Sequence, residues 1–403
     1  MEVRTHTSET ELRDLERTWN ELHTAADGTV FQTFQWNCTW WNIYRRDHLQ
    51  LHIVSFWDNG QLVGLLPMFL ETINARVTHM SRLRFLGTYE IYGEYAPIIH
   101  PMRREGVLNA MVDYCAGLVS SGDVDMLSFF RFPSTSTFMG RLLEELRARN
   151  LNVSFTRNCV ARVMMPLPRT WDEYRSSLTP SERQSLGRRT RALMNSGVEL
   201  EVVDGTGSTD DAFRDFVKLH TASWLDRGGK GYFGTLRQFE KFQRSITAAL
   251  APLNMAQLYF LKKDGRRFAA VQAFSANRHF CFYLSGLDRH DAMISHSPGK
   301  VLLSLVIKDA IDRGFEEFDF QGGVESYKFQ LGGRPEAFSK ALVWKKGPAG
   351  FKVYLFSGLQ ATRRIVREKI WDDGVAATAR RIVRKFRRMG RAAGSSEIIC
   401  SVP

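Results

Sequence analysis

The sequence predicts a mixed α/β fold built from two copies of one structural plan. The chain has 403 residues, of which 44% are hydrophobic and 12% aromatic, and this is enough for two or three domains with full apolar cores. Strand-like and helix-like apolar periods alternate along the chain. Each half then follows one order, namely strand, two helices, hairpin, strand, helix, strand and closing strands.

Local signals predict each element of the first half. Ser8 followed by Glu11 is the pattern of a helix start, and Asp58-Asn59-Gly60 between two apolar runs is a strong hairpin signal. The predicted strands are 1–5, 51–57, 61–71, 82–87, 95–101, 124–132, 151–158 and 160–167. The predicted helices start after Ser8 and cover 35–46, 104–122 and 137–150.

The second half repeats this order. Turn signals at Asp264-Gly265 and Asn277-Arg278 separate three successive strands within 256–286. Further strands are predicted at 198–204, 316–320 and 337–346, and helices at 181–197, 210–228, 235–250 and 297–314. Prolines near 166–169 mark the joint, so the predicted domains are 1–167 and 168–347, followed by a tail at 348–403.

The net charge of +12 is concentrated in the tail. Residues 361–391 hold eleven Lys and Arg against three acids, so this stretch alone carries +8. Apolar residues recur there at helical spacing, which predicts a basic amphipathic helix. Such a helix fits either an anionic membrane surface or the body of the protein. Sedimentation with anionic vesicles, with and without 358–403, distinguishes the two. We expect no nucleic-acid partner, since stacking motifs are absent.

Several function classes are excluded by what the sequence lacks. It begins with a charged stretch and has no run of about 18 apolar residues, so we expect a cytoplasmic protein, with peripheral membrane contact left open. The five cysteines are scattered without a CxxC pair, which indicates neither disulfides nor a zinc site. No GxxxxGK[ST], GxSxG or HExxH motif occurs. We therefore predict no bound metal.

A candidate anion site follows the apolar strand 279–284. Ser297 is placed to cap the next helix, and Pro298, Gly299 and Lys300 form its first turn. Free backbone N–H groups and the helix dipole favour phosphate there, and Lys300 adds a positive charge. The alternative is an ordinary capped helix that binds no ligand.

A candidate catalytic cluster lies in the stretch 316–333. Asp319 stands near the carboxyl end of a predicted central strand, where open sheets hold ligands. Glu325, Tyr327 and Lys328 follow in a glycine-bounded loop. An acid, a phenol and an amine together supply a base, a proton donor and a cation for an oxyanion. The alternative is a solvated loop whose charges pair locally.

Trp224 and Arg227 end a helix of the second half beside the glycine-rich turn RGGKGYFG. They are predicted either to line a substrate pocket or to close the core at the helix end. The basic run at 183–191 is an exposed helix face that could attract an anion.

These motifs resemble the CelD/BcsL-type acetyltransferases, a branch of the GNAT superfamily associated with cellulose and exopolysaccharide synthesis. The resemblance rests on Ser297-Pro298-Gly299 and on FDFQGGVESYK at 318–328, with softer matches at 31–41, 62–69 and 82–87. It covers about residues 10–345. The Tyr327-Lys328 pair is also similar to an element of the Fem-type peptidyltransferases, which are tandem GNAT-like proteins that use aminoacyl-tRNA.

The resemblance implies tandem GNAT-like domains, with mixed central sheets flanked by helices, and an acyl-CoA donor such as acetyl-CoA. The thioester would lie against Tyr283 and Leu284, and the pyrophosphate near Ser297, Gly299 and Lys300. The usual Q/RxxGxG/A loop of GNAT enzymes is absent.

From the resemblance we predict direct acyl transfer to an amine or hydroxyl of a small-molecule or saccharide acceptor. In this hypothesis Lys328 stabilises the oxyanion, Asp319 or Glu325 accepts the proton, and Tyr327 protonates the thiolate. Two alternatives stay open, namely a Fem-type transferase and a non-catalytic scaffold of a polysaccharide synthase complex.

Overall fold

One mixed β-sheet runs through the molecule in the computed structural model. The structure describes residues 1–75, 78–88, 91–204, 209–347 and 353. Apart from residue 353, the predicted tail at 348–403 and its amphipathic helix lie outside the described residues.

The sheet contains 13 strands within the described residues. Their bounds are β1 Glu2–His6, β2 Leu49–Asp58, β3 Gln61–Ala75, β4 Thr78–Phe85, β5 Ile98–Ile99, β6 Met126–Pro133, β7 Leu151–Pro166, β8 Glu199–Val203, β9 Ala256–Lys263, β10 Arg266–Ala276, β11 His279–Leu287, β12 Glu317–Gly322 and β13 Arg334–Lys345.

Helices connect these strands. Their bounds are α1 Glu9–Asp14, α2 Glu16–Ala25, α3 Phe34–Tyr44, α4 Arg104–Ser121, α5 Thr137–Ala148, α6 Trp171–Ser177, α7 Pro180–Asn195, α8 Thr209–Leu225, α9 Gly231–Thr235, α10 Phe239–Leu250, α11 Pro298–Asp312 and α12 Ser326–Gln330.

The two halves exchange their last strands. The strand order is β1-β2-β3-β4-β6-β13-β7-β12-β11-β10-β9-β8, and β5 pairs with β3. The final strand β13 therefore lies between β6 and β7 of the first half, while β7 lies between β13 and β12. The β4–β6 and β11–β12 pairs are parallel, and the other described pairs are antiparallel. The halves thus form one continuous sheet.

Local signals placed most elements correctly. Ser8 and Glu11 form the predicted capping box, with reciprocal backbone bonds of 3.2 and 2.9 Å. Asn59 and Gly60 both have positive φ, as a two-residue hairpin turn requires. The strands predicted at 151–158 and 160–167 are one strand, β7. The segment 95–101 holds only the two-residue strand β5, and α6, α9 and α12 were not predicted.

A shared aromatic core joins the halves on one face of the sheet. Trp36 of α3 contacts Phe242 of α10, Phe274 of β10 and Tyr283 of β11, with ring centroids 5.2, 5.5 and 5.8 Å apart. Separate apolar clusters lie beneath α4 and α5 in the first half and beneath α11 in the second. The side chains of the shared core hold β11, which borders the site described next.

Candidate functional site

The parallel strands β11 and β12 diverge and open a wedge in the sheet. They pair only from His279–Glu317 to Cys281–Asp319. Beyond this point β12 pairs with β7, while β11 continues along β10 to Leu287. Tyr283 is the extra residue of a bulge in β11, because its neighbours on either side pair with consecutive residues of β10. The wedge opens at the carboxyl ends of both strands, where α/β sheets bind ligands.

Helix α8 covers the outer part of the β11 edge. Nδ1 of His220 donates to the Ser285 carbonyl at 2.8 Å, and the Ser223 hydroxyl bonds both the carbonyl and the N–H of Leu287 at 2.8 and 2.6 Å. Gly286 permits this approach, since an added Cβ would lie 2.4 Å from the backbone nitrogen of His220. The backbone left to face the wedge is therefore the stretch 282–284.

His220 is a neutral buried base beside this wedge. Because its Nδ1 donates to a carbonyl, its Nε2 is the acceptor, and Nε2 is buried without a partner in the described residues. Burial lowers the pKa of His220 to about 4, against a smaller opposing effect of the Ser285 bond. Rings of Trp224, Tyr232 and Phe233 surround it. A single histidine in a helical stretch carries no sequence signal, so sequence reasoning missed this residue.

Asp319 is an anchoring residue. Its Oδ2 accepts from Nε and an NH₂ nitrogen of Arg162 at 3.1 and 2.9 Å, and from the Gln321 amide at 2.5 Å. Its Oδ1 accepts the Gln321 backbone N–H at 2.7 Å. The side chain is 6% exposed. Four donors already occupy this carboxylate, so its geometry fits positioning of the β12 end better than the predicted proton abstraction.

Arg162 links the two halves at this point. It lies on β7 and bonds Glu94, also from the first half, at 2.7 Å, in addition to Asp319. Burial opposes its charge, but Asp319 and Glu94 raise the pKa of Arg162. The three groups form a buried ion triad. Sequence reasoning missed Arg162 and Glu94, because the residues of the triad are separated by 68 and 157 positions.

Glu325 and Lys328 come together at the start of α12, and Tyr327 lies within electrostatic reach of Glu325. Nζ of Lys328 donates to the Gly322 carbonyl at 2.5 Å and lies 3.1 Å from Oε2 of Glu325. Lys328 is 3% exposed and Glu325 56% exposed, so the pair spans from the interior to the solvent. Burial lowers the pKa of Lys328, and Glu325 opposes this shift. The third N–H of the ammonium is left for a ligand.

Tyr327 keeps its proton at neutral pH. Burial raises the pKa of its hydroxyl, and the Glu325 charge adds to the effect, while Arg227 lowers it. A protonated phenol beside a buried ammonium and an exposed carboxylate gives the site a proton donor, a cation and a proton acceptor.

Tyr92 brings the first half against this cluster. Its hydroxyl donates to the Ala161 carbonyl at 3.2 Å, and its own carbonyl accepts the Tyr283 hydroxyl at 3.0 Å. An added Cβ on Gly322 would lie 2.3 Å from the Tyr92 oxygen. The Tyr92 hydroxyl therefore touches the same residue whose carbonyl binds Lys328.

The predicted thioester-binding residues contribute backbone only. Tyr283 is 7% and Leu284 9% exposed, and both side chains belong to the shared core. Burial raises the pKa of Tyr283, so its hydroxyl stays a donor to Tyr92.

The start of α11 differs from the predicted phosphate site. Ser297 has φ 53° and its side chain makes no cap bond, so the predicted cap is wrong; the left-handed backbone turns the hydroxyl away. The Ser297 carbonyl accepts the N–H groups of Lys300 and Val301, which leaves Gly299 as the first-turn amide for a ligand. Lys300 is bound by Glu182 and by Gln330. Its charge is largely compensated.

Trp224 and Arg227 border the wedge from the α8 side. The indole packs against Gly231, whose added Cβ would lie 2.8 Å from the ring. Arg227 lies 5.9 Å from the ring centroid, and its charge acts on Tyr327 and His220. Arg227 thus lies within electrostatic reach of Tyr327 on α12, and Trp224 lies beside Arg227.

Two features are absent from the part of the chain that the structure describes. No group of three His, Cys, Asp or Glu side chains suited to a metal occurs in the described ranges. Among those same residues, no helix has the length and apolar character to span a bilayer.

Residues 180–329 match the family described as Acetyltransferase (GNAT) domain. This stretch contains α7 to α12 and therefore the wedge and its cluster. No curated protein matches the sequence. The fold is mixed α/β, with one large mixed sheet flanked by helices.

Solved structures share this fold at low sequence identity. FemX is 12% identical, with 85% of this chain and 97% of FemX covered and a TM-score of 0.59. The C-terminal domain of a putative lysylphosphatidylglycerol synthetase from Agrobacterium fabrum is 9% identical, covering 86% and 96%, at 0.49. A tandem GNAT protein from the clavulanic acid biosynthesis pathway is 13% identical, covering 86% and 99%, at 0.44.

Proposed function

We propose that the chain transfers an acetyl or longer acyl group from acyl-CoA to an amine or hydroxyl acceptor bound at the wedge. One observation carries the proposal, namely the position of Lys328, Glu325 and Tyr327 directly beyond the end of β12, where β11 and β12 have separated. The match of 180–329 to a GNAT acetyltransferase domain supports it.

The reaction needs no covalent enzyme intermediate. The acceptor nitrogen or oxygen attacks the thioester carbon, and its proton passes to the exposed carboxylate of Glu325. The carbonyl oxygen becomes an oxyanion, which the third N–H of Lys328 and backbone N–H groups of 282–284 stabilise. The C–S bond then breaks, and Tyr327 protonates the thiolate. Solvent resets both residues.

In this mechanism Asp319 is a positioning residue. It fixes the Gln321 backbone, which has φ 61°, and thereby directs the Gly322 carbonyl that holds Lys328. This role replaces the sequence-based proposal that Asp319 is a base. Glu325 is the better base because solvent and acceptor reach it.

A second candidate donor is aminoacyl-tRNA, as used by Fem-type transferases. The specific observation in its favour is the start of α11, where Lys300 is paired with Glu182 and Ser297 makes no cap. Within the described residues, such a terminus offers a pyrophosphate the Gly299 amide but neither an unpaired lysine nor a hydroxyl cap. The fold shared with FemX is compatible with either donor.

For the acceptor we propose a saccharide or another small molecule of cellulose or exopolysaccharide biosynthesis. This part rests on the sequence resemblance at 297–299 and 318–328 alone. A scaffold without catalysis in a polysaccharide synthase complex is the alternative, and detection of any acyl transfer rules it out.

Calorimetric titration with acetyl-CoA and longer acyl-CoAs tests the donor. We expect binding that is weakened by a Gly299→Val change, which blocks the free first-turn amide, but not by Lys308→Ala on the exposed part of α11. Absence of binding at every chain length would favour the tRNA-dependent or scaffolding alternative.

Lys328→Ala tests the chemical step. Loss of an oxyanion donor lowers kcat by about 10²–10³-fold. The measurement is single-turnover transfer to an amine acceptor, with Lys308→Ala as the matched lysine control and acyl-CoA affinity measured in parallel. Full turnover in the Lys328 variant contradicts the oxyanion role.

A further inference from the structure

Arg131 of the first half occupies an unusual backbone position near the wedge. Phe130 and Phe132 pair with the adjacent residues Lys340 and Ser339 of β13, so Arg131 is the extra residue of a bulge in β6. Its φ is 60°, a left-handed conformation that few non-glycine residues adopt. Strained positions of this kind, when the surrounding structure enforces them, concentrate at ligand sites.

The guanidinium of Arg131 has no acidic partner among the described residues. It donates one bond to the Ile91 carbonyl at 3.2 Å, and its Nε is buried without a partner. The remaining contacts are aromatic, with the Tyr92 and Phe130 ring centroids at 3.9 and 5.3 Å. By contrast Arg162 on β7, which β13 separates from β6, binds two carboxylates. Within the described residues, Arg131 is therefore a positive charge without a carboxylate partner.

A series of contacts links this charge to the cluster at 325–328. Arg131 stacks on Tyr92, the Tyr92 hydroxyl touches Gly322, and the Gly322 carbonyl binds Lys328. From the other side, Tyr232 of α9 lies within electrostatic reach of both Arg131 and Glu325: burial raises the pKa of its hydroxyl, Arg131 lowers it and Glu325 raises it. Arg131 thus lies on the first-half side of the same cleft.

We propose that Arg131 binds an anionic group of the acceptor, a carboxylate or a phosphate. The acceptor class is then an amine or alcohol that also carries an anion, held with its nucleophile toward Glu325 and its anion toward the first half. This inference rests on the proposed function for the acceptor's identity, but the anion site itself does not depend on turnover. A guanidinium suits either anion because it donates two parallel N–H bonds.

Calorimetric titration of the full chain with three probes tests the site. Glucosamine 6-phosphate and glutamate present an amine with a phosphate or a carboxylate, and glucosamine presents the amine alone. The key variant is Arg131→Asn, because asparagine tolerates a left-handed backbone and removes the charge without added strain. Arg131→Lys keeps a positive charge, and Arg141→Gln removes an exposed arginine of α5 that pairs with Glu105.

We expect wild type to bind at least one anionic probe more tightly than glucosamine. Arg131→Asn should weaken that binding by about 10- to 100-fold, the loss expected for charge-assisted hydrogen bonds, and Arg131→Lys should weaken it less. Arg141→Gln should bind as wild type. Preference for one anionic probe assigns the anion as phosphate or carboxylate.

Two outcomes would overturn the inference: no preference of wild type for either anionic probe over glucosamine, or equal binding by wild type and Arg131→Asn with both folded by thermal melting. Lys328→Ala separates this inference from the proposed function. This variant should retain anion binding while losing acyl transfer. Failure of the anion-site inference would therefore appear in the binding titration, and failure of the proposed function would appear in the transfer assay.

Discussion

The two halves contain the same wedge, and they differ in what fills it. In the first half β4 and β6 pair in parallel over 82–84 and 126–128 and then separate, as β11 and β12 do after three pairs. Each central strand then has a bulge with a left-handed residue, Arg131 at φ 60° and Gln321 at φ 61°. The backbone geometry is therefore repeated closely although the side chains are unrelated.

The first wedge is closed by its own chain. The N–H of Tyr95 donates to the Arg131 carbonyl at 3.0 Å, so the segment after β4 runs along the free edge of β6. The buried Tyr95 hydroxyl then binds the carbonyls of Gly87 and Ile91. In the second half, the connection 288–297 makes no backbone bond to β12 within the described residues. Among the described residues, the second wedge is therefore not closed in this way.

Residues of the first half also contact the wedge of the second half. The segment that closes the first wedge also carries Tyr92 and Glu94, and these residues contact Gly322 and Arg162 at the second wedge. The candidate site is therefore bordered by residues of both halves. Substitutions in the first half that reach the second wedge should therefore have larger consequences than matched changes that stay inside the first half.

The largest expected effect comes from Arg162→Met. It leaves Asp319 and Glu94 buried without their cation, so we expect a loss of about 3–5 kcal/mol in the free energy of unfolding. The matched change in the first half is Arg82→Met, where Glu71 keeps its ion pair with Arg84. Its expected loss is about 1.5–3 kcal/mol. Urea unfolding of both variants measures the two losses of unfolding free energy. Equal losses would show that the triad between the halves stabilises the fold no more than the ion pairs inside the first half.

An intermediate effect is expected from Gly322→Ala, which places a methyl group against the Tyr92 oxygen. We expect a loss of about 1–3 kcal/mol in unfolding free energy, typical of overpacking. Adding Tyr92→Phe removes the oxygen and should restore part of the lost unfolding free energy. A double-mutant cycle measures this recovery as a coupling energy.

Gly64→Ala is the control within the first half. Its added Cβ would meet the Val107 side chain at 2.7 Å, away from Tyr92. Tyr92→Phe should not change its cost. Coupling of Tyr92→Phe to Gly64→Ala instead of to Gly322→Ala would contradict the proposed contact between the halves.

The smallest expected effect on stability comes from two histidines whose pKa values are shifted in opposite directions. Burial lowers the pKa of His52, whose Nε2 bonds Tyr114 in the first half. Burial also opposes the charge of His279, but Glu317 and Asp27 raise its pKa overall. Protonation therefore favours the unfolded state at His52 and the folded state at His279.

Variants of these two histidines should change the free energy of unfolding in opposite directions as the pH falls. The contribution of His279 is fully present below the unfolded pKa of about 6.5 and is lost as pH rises through the higher folded pKa, so His279→Gln costs most in acid. His52 destabilises the fold as pH falls below about 6.5, so His52→Gln should lose less stability there than wild type. Urea unfolding from about pH 5 to pH 8 measures both curves. Parallel curves would contradict the assigned shifts.

Local sequence signals predicted the elements because their causes are local. The capping box at Ser8, the Asn59-Gly60 turn and the left-handed Gly122 after α4 each depend on a few adjacent residues. The cluster at 325–328 was also predictable, since its members lie within four consecutive residues, although α12 itself was not predicted. The order of strands was not predictable, because β13 reaches its place between β6 and β7 only through long-range pairing.

The rest of the site has no local signal. Arg162 and Glu94 are ordinary residues in sequence and acquire a role only when β7 is placed beside β12. For the same reason Asp319 looked like a free acid, although Arg162 and Gln321 occupy its oxygens. Ser297 fitted a cap by residue type, but its backbone conformation depends on how the preceding turn ends at Ile294.

The exchanged strands also determine when each part of the sheet can fold during synthesis on the ribosome. The first half cannot complete its sheet when residue 167 leaves the exit tunnel, because the place between β6 and β7 belongs to a strand made some 170 residues later. Until 334–345 emerges, the nascent chain presents two unpaired strand edges, which are sites for misassembly. The last described strand to be made therefore closes both halves in one step, and truncation before it should remove the stability of the first half as well as that of the second.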